Sequence, residues 1–317
     1  MKKYLCLMAL AVIAGFGCIS CDNDDDNTSN HISLKEPSTK NLAARYSIEQ
    51  NLAGEQAATA TFDNVQAVMS EIEVTEEAGI LIKYTEDTSD TNASASRSTA
   101  DAKPKEFWSW YDFTQNGSKL LVNGFGEITI ETGNAQAVIT LTPEGSTTPL
   151  KVIASISTPK YDNELSNYLC RTWTIYFYQI LITKNGMQVG KALEKSSDGT
   201  CDLKTLIDYA NNEHGAGIKD DLGEKKIIKG ITFTGNDSFI INYKGTDKKD
   251  IGNWEWTEFN VKQKSGTIAY SWCDESMGNN LLGGTATASF SDDECELRLD
   301  GKETSKNYTC QVRFKLK

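Results

Sequence analysis

From Arg45 onward the apolar residues come in runs of about four to eight, rich in β-branched and aromatic side chains and broken by turn residues. Runs of that length are too short to build a packed helix, so this punctuation confines most of the chain to sheets. Ile80 to Tyr84, Trp108 to Phe113, Leu120 to Val122, Glu127 to Glu131 and Ala137 to Leu141 read as strands of a first domain, residues 44–160. Asn116-Gly117 and Gly133-Asn134 fall between such runs, where these dipeptides favour tight hairpins. Within this domain, residues 86–106 are dominated by Ser, Thr, Ala, Asp and Lys, which bury too little surface to offset ordering entropy, so a disordered loop is expected there. Pro159, in the stretch Thr158 to Asn163, ends the last strand and marks the boundary.

The second domain is expected over residues 164–317. Its first strand, Leu169 to Tyr176, carries Trp173. One helix follows: Asp202 can cap it, Leu203, Leu206, Ile207 and Ala210 recur at helical spacing, and Gly215 can end it. Strands then resume at 229–234, 238–244, 253–261, 266–273, 284–290, 295–299 and 308–316, making eight with the first. Eight tightly connected strands suit a small closed barrel, which has no exposed edge. The Cys170-Arg171-Thr172-Trp173 start, the inserted helix, the hairpin from Phe233 to Phe239 and the strand at Gly266 resemble the lipocalin-like domains of Bacteroidetes lipoproteins. The first strand of that family often reads Gly-Thr-Trp, and Arg171 stands at the glycine. The expected fold is all-β: two β domains, the second an eight-stranded lipocalin-like barrel, of calycin type, with one inserted helix.

The N-terminus resembles a bacterial lipoprotein signal peptide, residues 1–20: Lys2 and Lys3, an apolar run from Leu5 to Phe16, then small residues before Cys21. The resemblance implies cleavage after Ser20 and lipidation of Cys21, with Gly17-Cys18 as a rival site. The acidic run Asp22, Asp24, Asp25, Asp26 resembles the export signal of surface lipoproteins in Bacteroidetes-type Gram-negative bacteria. Like-charge blocks also self-repel, so residues 21–43 read as a flexible tether. The expected place is the outer membrane, on the cell surface, held by lipid at Cys21.

A net charge of -12 argues against nucleic acid as a partner, since binding there needs basic surface. The two histidines, His31 and His214, have no visible nucleophile or orienting partner, and no phosphate loop or metal-spaced set occurs, so neither catalysis nor a cofactor or metal is expected. After Cys21 the cysteines are Cys170, Cys201, Cys273, Cys295 and Cys310, an odd set. If the last hairpin turned symmetrically through Asp300 to Ser305, Cys295 would face Cys310 on the inward side, a candidate disulfide.

Ligand-site candidates are aromatic. Trp254 with Trp256, and Trp108 with Trp110, stand two apart and so share a strand face; Tyr243 joins the former pair at the expected barrel mouth. Trp173 and Trp272 read as barrel filling. The function expected is a non-catalytic binding or interaction module, for a small apolar molecule in the barrel mouth or a glycan on an aromatic strand face. The alternative is a structural or accessory subunit packed on another envelope protein, with no small ligand. A cavity open at one barrel end separates the two.

Overall fold

The computed structural model of the chain describes residues 42–51, 59–62, 65–75, 79–86, 106–157, 163–220, 222–274, 280–291, 293–304 and 307–317. The signal segment, Cys21, the tether as far as 41 and residues 87–105 lie outside these. The chain divides between Thr158 and Pro159 into two compact units, each with its own apolar core.

The first unit contains β1 (Ala44–Asn51), β2 (Thr59–Phe62), β3 (Val65–Val74), β4 (Gly79–Glu86) and β5 (Glu106–Asn116). It continues with β6 (Lys119–Val122), β7 (Gly126–Thr132), β8 (Gln136–Pro143) and β9 (Leu150–Ser157). Neighbours are antiparallel, and β1 pairs with β9 on one side and β3 on the other, so the sheet curls and closes on itself. Alternation fills the interior: Tyr46, Ile72, Ile82, Ile128 and Ile139 are fully buried, each on the inward face of its strand. Tyr46 donates its hydroxyl to the Leu42 carbonyl at 2.9 Å, and burial pushes this phenol up to about 12.

The second unit opens with α1 (Glu164–Leu169), β10 (Thr172–Trp173), β11 (Ile175–Lys184), β12 (Met187–Lys195), β13 (Cys201–Asp202) and α2 (Leu203–His214). Then come β14 (Ile227–Phe233), β15 (Ser238–Tyr243), β16 (Lys249–Asn260), β17 (Ser265–Asp274), β18 (Asn280–Ser291), β19 (Glu294–Leu299), β20 (Lys302–Glu303) and β21 (Tyr308–Leu316). β10 and β11 are one strand interrupted at Thr174, which exchanges backbone hydrogen bonds of 2.9 and 3.0 Å with Lys317. Before the break the strand pairs with β14, after it with β21; a meander from β14 to β19 completes an eight-stranded closed barrel. The eight expected strands are these.

Helix α2 forms where its capping residues predict: Asp202 accepts from the Thr205 amide at 3.2 Å, and Gly215 ends it at φ 63, a left-handed conformation that suits glycine. The first strand and β12 depart from the sequence reading. Leu169 ends the short helix α1, so the first strand starts later than expected and continues to Lys184. β12 was not foreseen, because seven of its nine residues are exposed and no buried face imposes alternation.

The pairing of Cys295 with Cys310 is also corrected. After β19 the chain folds back as β20, and Lys302 takes the position opposite Cys310. β19 is thereby displaced along β21, so Cys295 faces Leu316, while the other neighbour of Cys310 is Ile182. Cys201, Cys295 and Cys310 are free thiols.

Candidate ligand-binding site

The tryptophans of the second barrel expected to face a ligand are core residues. Trp254 and Trp256 point inward, 1% and 7% exposed, with ring centroids 5.8 Å apart in an edge-to-face contact. Their indole N–H groups are committed: Trp254 donates to the Thr234 carbonyl at 3.2 Å and Trp256 to the Ser166 hydroxyl at 2.9 Å. Ser166 belongs to α1, whose Leu165 and Leu169 are buried in the same core, and Trp173 donates to the Leu169 carbonyl at 2.8 Å. Thus α1 is bound to the barrel by two tryptophans. Tyr243 donates to Asp250 at 2.6 Å, and Lys225 engages the other oxygen of that carboxylate. The side chain of Trp272 lies outside those described.

Trp108 and Trp110 sit on the outer face of β5, half-buried. Arg45 and Lys83 stand 5.6 and 5.5 Å from the centroid of the Trp108 ring, at cation–π range. Trp110 lies over Gly79, where a Cβ would come within 1.8 Å of the ring, and donates to Asp112 at 3.2 Å. The surface of Trp108 is therefore shared with the chain's own cations.

Among the described residues, a cavity of the second barrel lies under α2. Its volume is about 480 Å³, and its wall is Ile180, Cys310 and Val312, on the strand face that also carries the core residues Tyr178 and Phe314. Leu203, Leu206 and Ile207 form its roof, and Gly217 to Lys219 with Lys302 to Thr304 form its rim. The helix explains the space: Leu206 and Ala210 are buried in the core, whereas Leu203 and Ile207 are only half-covered, so the apolar stripe of α2 is wider than the core beneath it. The rim is fixed. Asn211 bonds both the amide and the carbonyl of Ile218 at 2.8 Å, and Thr304 donates to the Ala216 carbonyl at 2.6 Å.

Such a volume lies in the range, about 300–1,000 Å³, that encloses small organic ligands. Its walls are aliphatic apart from Cys310, whose thiol is pushed up by burial and so stays protonated at neutral pH. The chemistry on offer is a half-open apolar cleft whose charged side chains, Lys219, Lys302 and Glu303, stand at the rim. Sequence reasoning singled out Leu203, Leu206 and Ile207 as a helix face and missed the wall residue Ile180. His214 lies outside the cavity lining, with Nε2 3.2 Å from the Tyr209 hydroxyl at the end of α2.

No family model matches the sequence, and no curated protein matches it. Among solved structures, similarity is found to a single-site mutant of transferrin binding protein B from Haemophilus parasuis, at 9% identity and TM-score 0.23, covering 87% of this chain and 58% of that one. Transferrin binding protein B of serogroup B Neisseria meningitidis is similar at 10% identity and TM-score 0.23, over 80% of this chain and 51% of that one. This chain thus spans between half and three-fifths of those two proteins. A Bacteroides fragilis chain described as an outer membrane protein is similar at 11% identity and TM-score 0.25, over 86% of this chain and 96% of its own length. At these identities and scores the fold assignment stands on the chain's own strand pairing.

Proposed function

We propose that the protein is a non-catalytic binding module whose second barrel takes up a small apolar molecule beneath α2. The observation that carries this reading is the cavity of about 480 Å³ between Ile180 and Val312 on the wall and Leu203 and Ile207 on the helix. The expected aromatic mouth at Trp254, Trp256 and Tyr243 has no part in it. The test is titration of the full-length chain with an N-phenylnaphthylamine probe, which fluoresces on entering apolar surroundings. Saturable binding is expected, with Ile207→Trp abolishing it by filling the cavity and probe occupancy protecting Cys310 from alkylation. Absence of saturable binding to the unmodified chain would overturn the reading.

The module is proposed to hang from the outer membrane, on the cell surface, by lipid on Cys21. Support comes from the sequence alone: the apolar segment from Leu5 to Phe16, Ser20 before Cys21, and the acidic run after it. Cys21→Ala is expected to release the protein from the membrane fraction, and protease shaving of intact cells is expected to degrade the native form. Membrane retention of the variant would refute the anchor at that position.

A further inference from the structure

The outer face of the sheet formed by β12, β11, β21 and β19 has the opposite sign to the rest of the chain. Strand register puts Lys195, Phe177, Lys315 and Glu296 in one row and Leu193, Gln179, Arg313 and Arg298 in the next, with Lys191 beside Leu181. All project away from the core, because Tyr178, Ile180, Phe314 and Leu297 at the alternate positions are core residues. Glu296 is the carboxylate among these positions, and it is held by Arg298 at 3.2 Å and by Arg313. In a chain of net charge -12, a face carrying Lys191, Lys195, Arg298, Arg313 and Lys315 around two engaged glutamates, Glu296 and the Lys317-paired Glu294, is a local inversion of the field.

The same face is partly apolar. Leu193 is 48% exposed, Phe177 and Leu181 are half-buried, and Lys315 stands 5.8 Å from the Phe177 ring. Cations alone would serve a polyanionic glycan or a lipid headgroup layer; cations interleaved with Leu193, Leu181 and Phe177 match a partner that alternates acid with apolar side chains. We propose that this face docks an acidic, partly apolar segment of another protein. The site is separate from the cavity, on the opposite side of β11 and β21, and does not depend on what the cavity holds.

The test uses the purified full-length chain and a fluorescein-labelled peptide of alternating glutamate and valine, read by anisotropy. Phosphatidylglycerol vesicles and dextran sulfate serve as the two competing surfaces. Saturable, salt-sensitive binding of the acidic peptide is expected, weakened at least about tenfold by the double change Lys191→Glu and Lys195→Glu. Both side chains are exposed, so folding should persist; Lys195→Gln alone, with an unchanged thermal transition, is the milder variant and should show a smaller loss. Absence of peptide binding, binding indifferent to these changes, or binding to vesicles or dextran sulfate without the peptide would each overturn the proposal.

Discussion

The hydroxyl of Tyr209 lies 3.2 Å from the amide nitrogen of Lys191 and 3.1 Å from its carbonyl oxygen. A single side chain of α2 thus satisfies both backbone groups that Lys191 turns away from β11. An unpaired edge strand invites association with other chains, and here the helix covers that edge at one point. His214 Nε2 stands 3.2 Å from the same hydroxyl. Tyr209→Phe should lower the unfolding free energy of the second barrel by about 1 kcal/mol per bond lost. It should also make the protein self-associate with concentration; urea titration and sedimentation velocity check the two effects.

Ser166 is the contact through which α1 holds Trp256. Ser166→Ala leaves a buried indole N–H without its acceptor, which costs about 1–3 kcal/mol. Trp254→Ala, which empties the same core, should cost about 3–5 kcal/mol. Denaturant midpoints measure both, and a Ser166→Ala value within error of the parent would show that the indole bond contributes nothing.

The thiols should differ in reactivity by position. Cys310 lines the cavity and is half-buried, whereas Cys201 and Cys295 are buried, and burial pushes both of the latter well above the ordinary thiol range. Iodoacetamide mass spectrometry of the native protein should label Cys310 before Cys201 or Cys295, which should react only on unfolding. A Cys295–Cys310 disulfide peptide under non-reducing conditions would contradict the register.

Acid should weaken the second barrel. Glu294 accepts from the Tyr176 hydroxyl at 2.6 Å and pairs with Lys317 at 3.4 Å, and these contacts hold its carboxyl below the ordinary value of 4.5. At Glu296 burial works the other way, but Arg313 and Arg298 prevail and the net direction is also down. A depressed folded value means stability that is present above the unfolded value and lost as pH falls through the folded one. The urea midpoint should therefore drop as pH goes below 4.5, and the double change Glu294→Gln and Glu296→Gln should flatten that drop.

The parts legible in the sequence were those that local chemistry decides. Asp202 and Gly215 bracket α2 because capping is settled within a few residues. Period two places Trp254 with Trp256, and Trp108 with Trp110, on common faces; it cannot say which face is inward, and the pairs differ in that respect. Register was lost at β20, since two extra paired residues on the way to β21 move every partner of β19. The cavity was illegible for another reason. Its lining residues are ordinary core types, and what makes a cavity is the volume that Leu203 and Ile207 fail to fill, a property of packing and not of pattern.

The bond pair between Thr174 and Lys317 joins positions 143 residues apart. During synthesis the second barrel cannot close until β21 has emerged, so β11 and β19 wait with open edges while the meander between them is already able to form. Closure is a late, non-local event of the kind that slows folding. A chain interrupted before Tyr308 would keep two strands with an unpaired edge each, making it a substrate for chaperones and proteases instead of a shorter barrel.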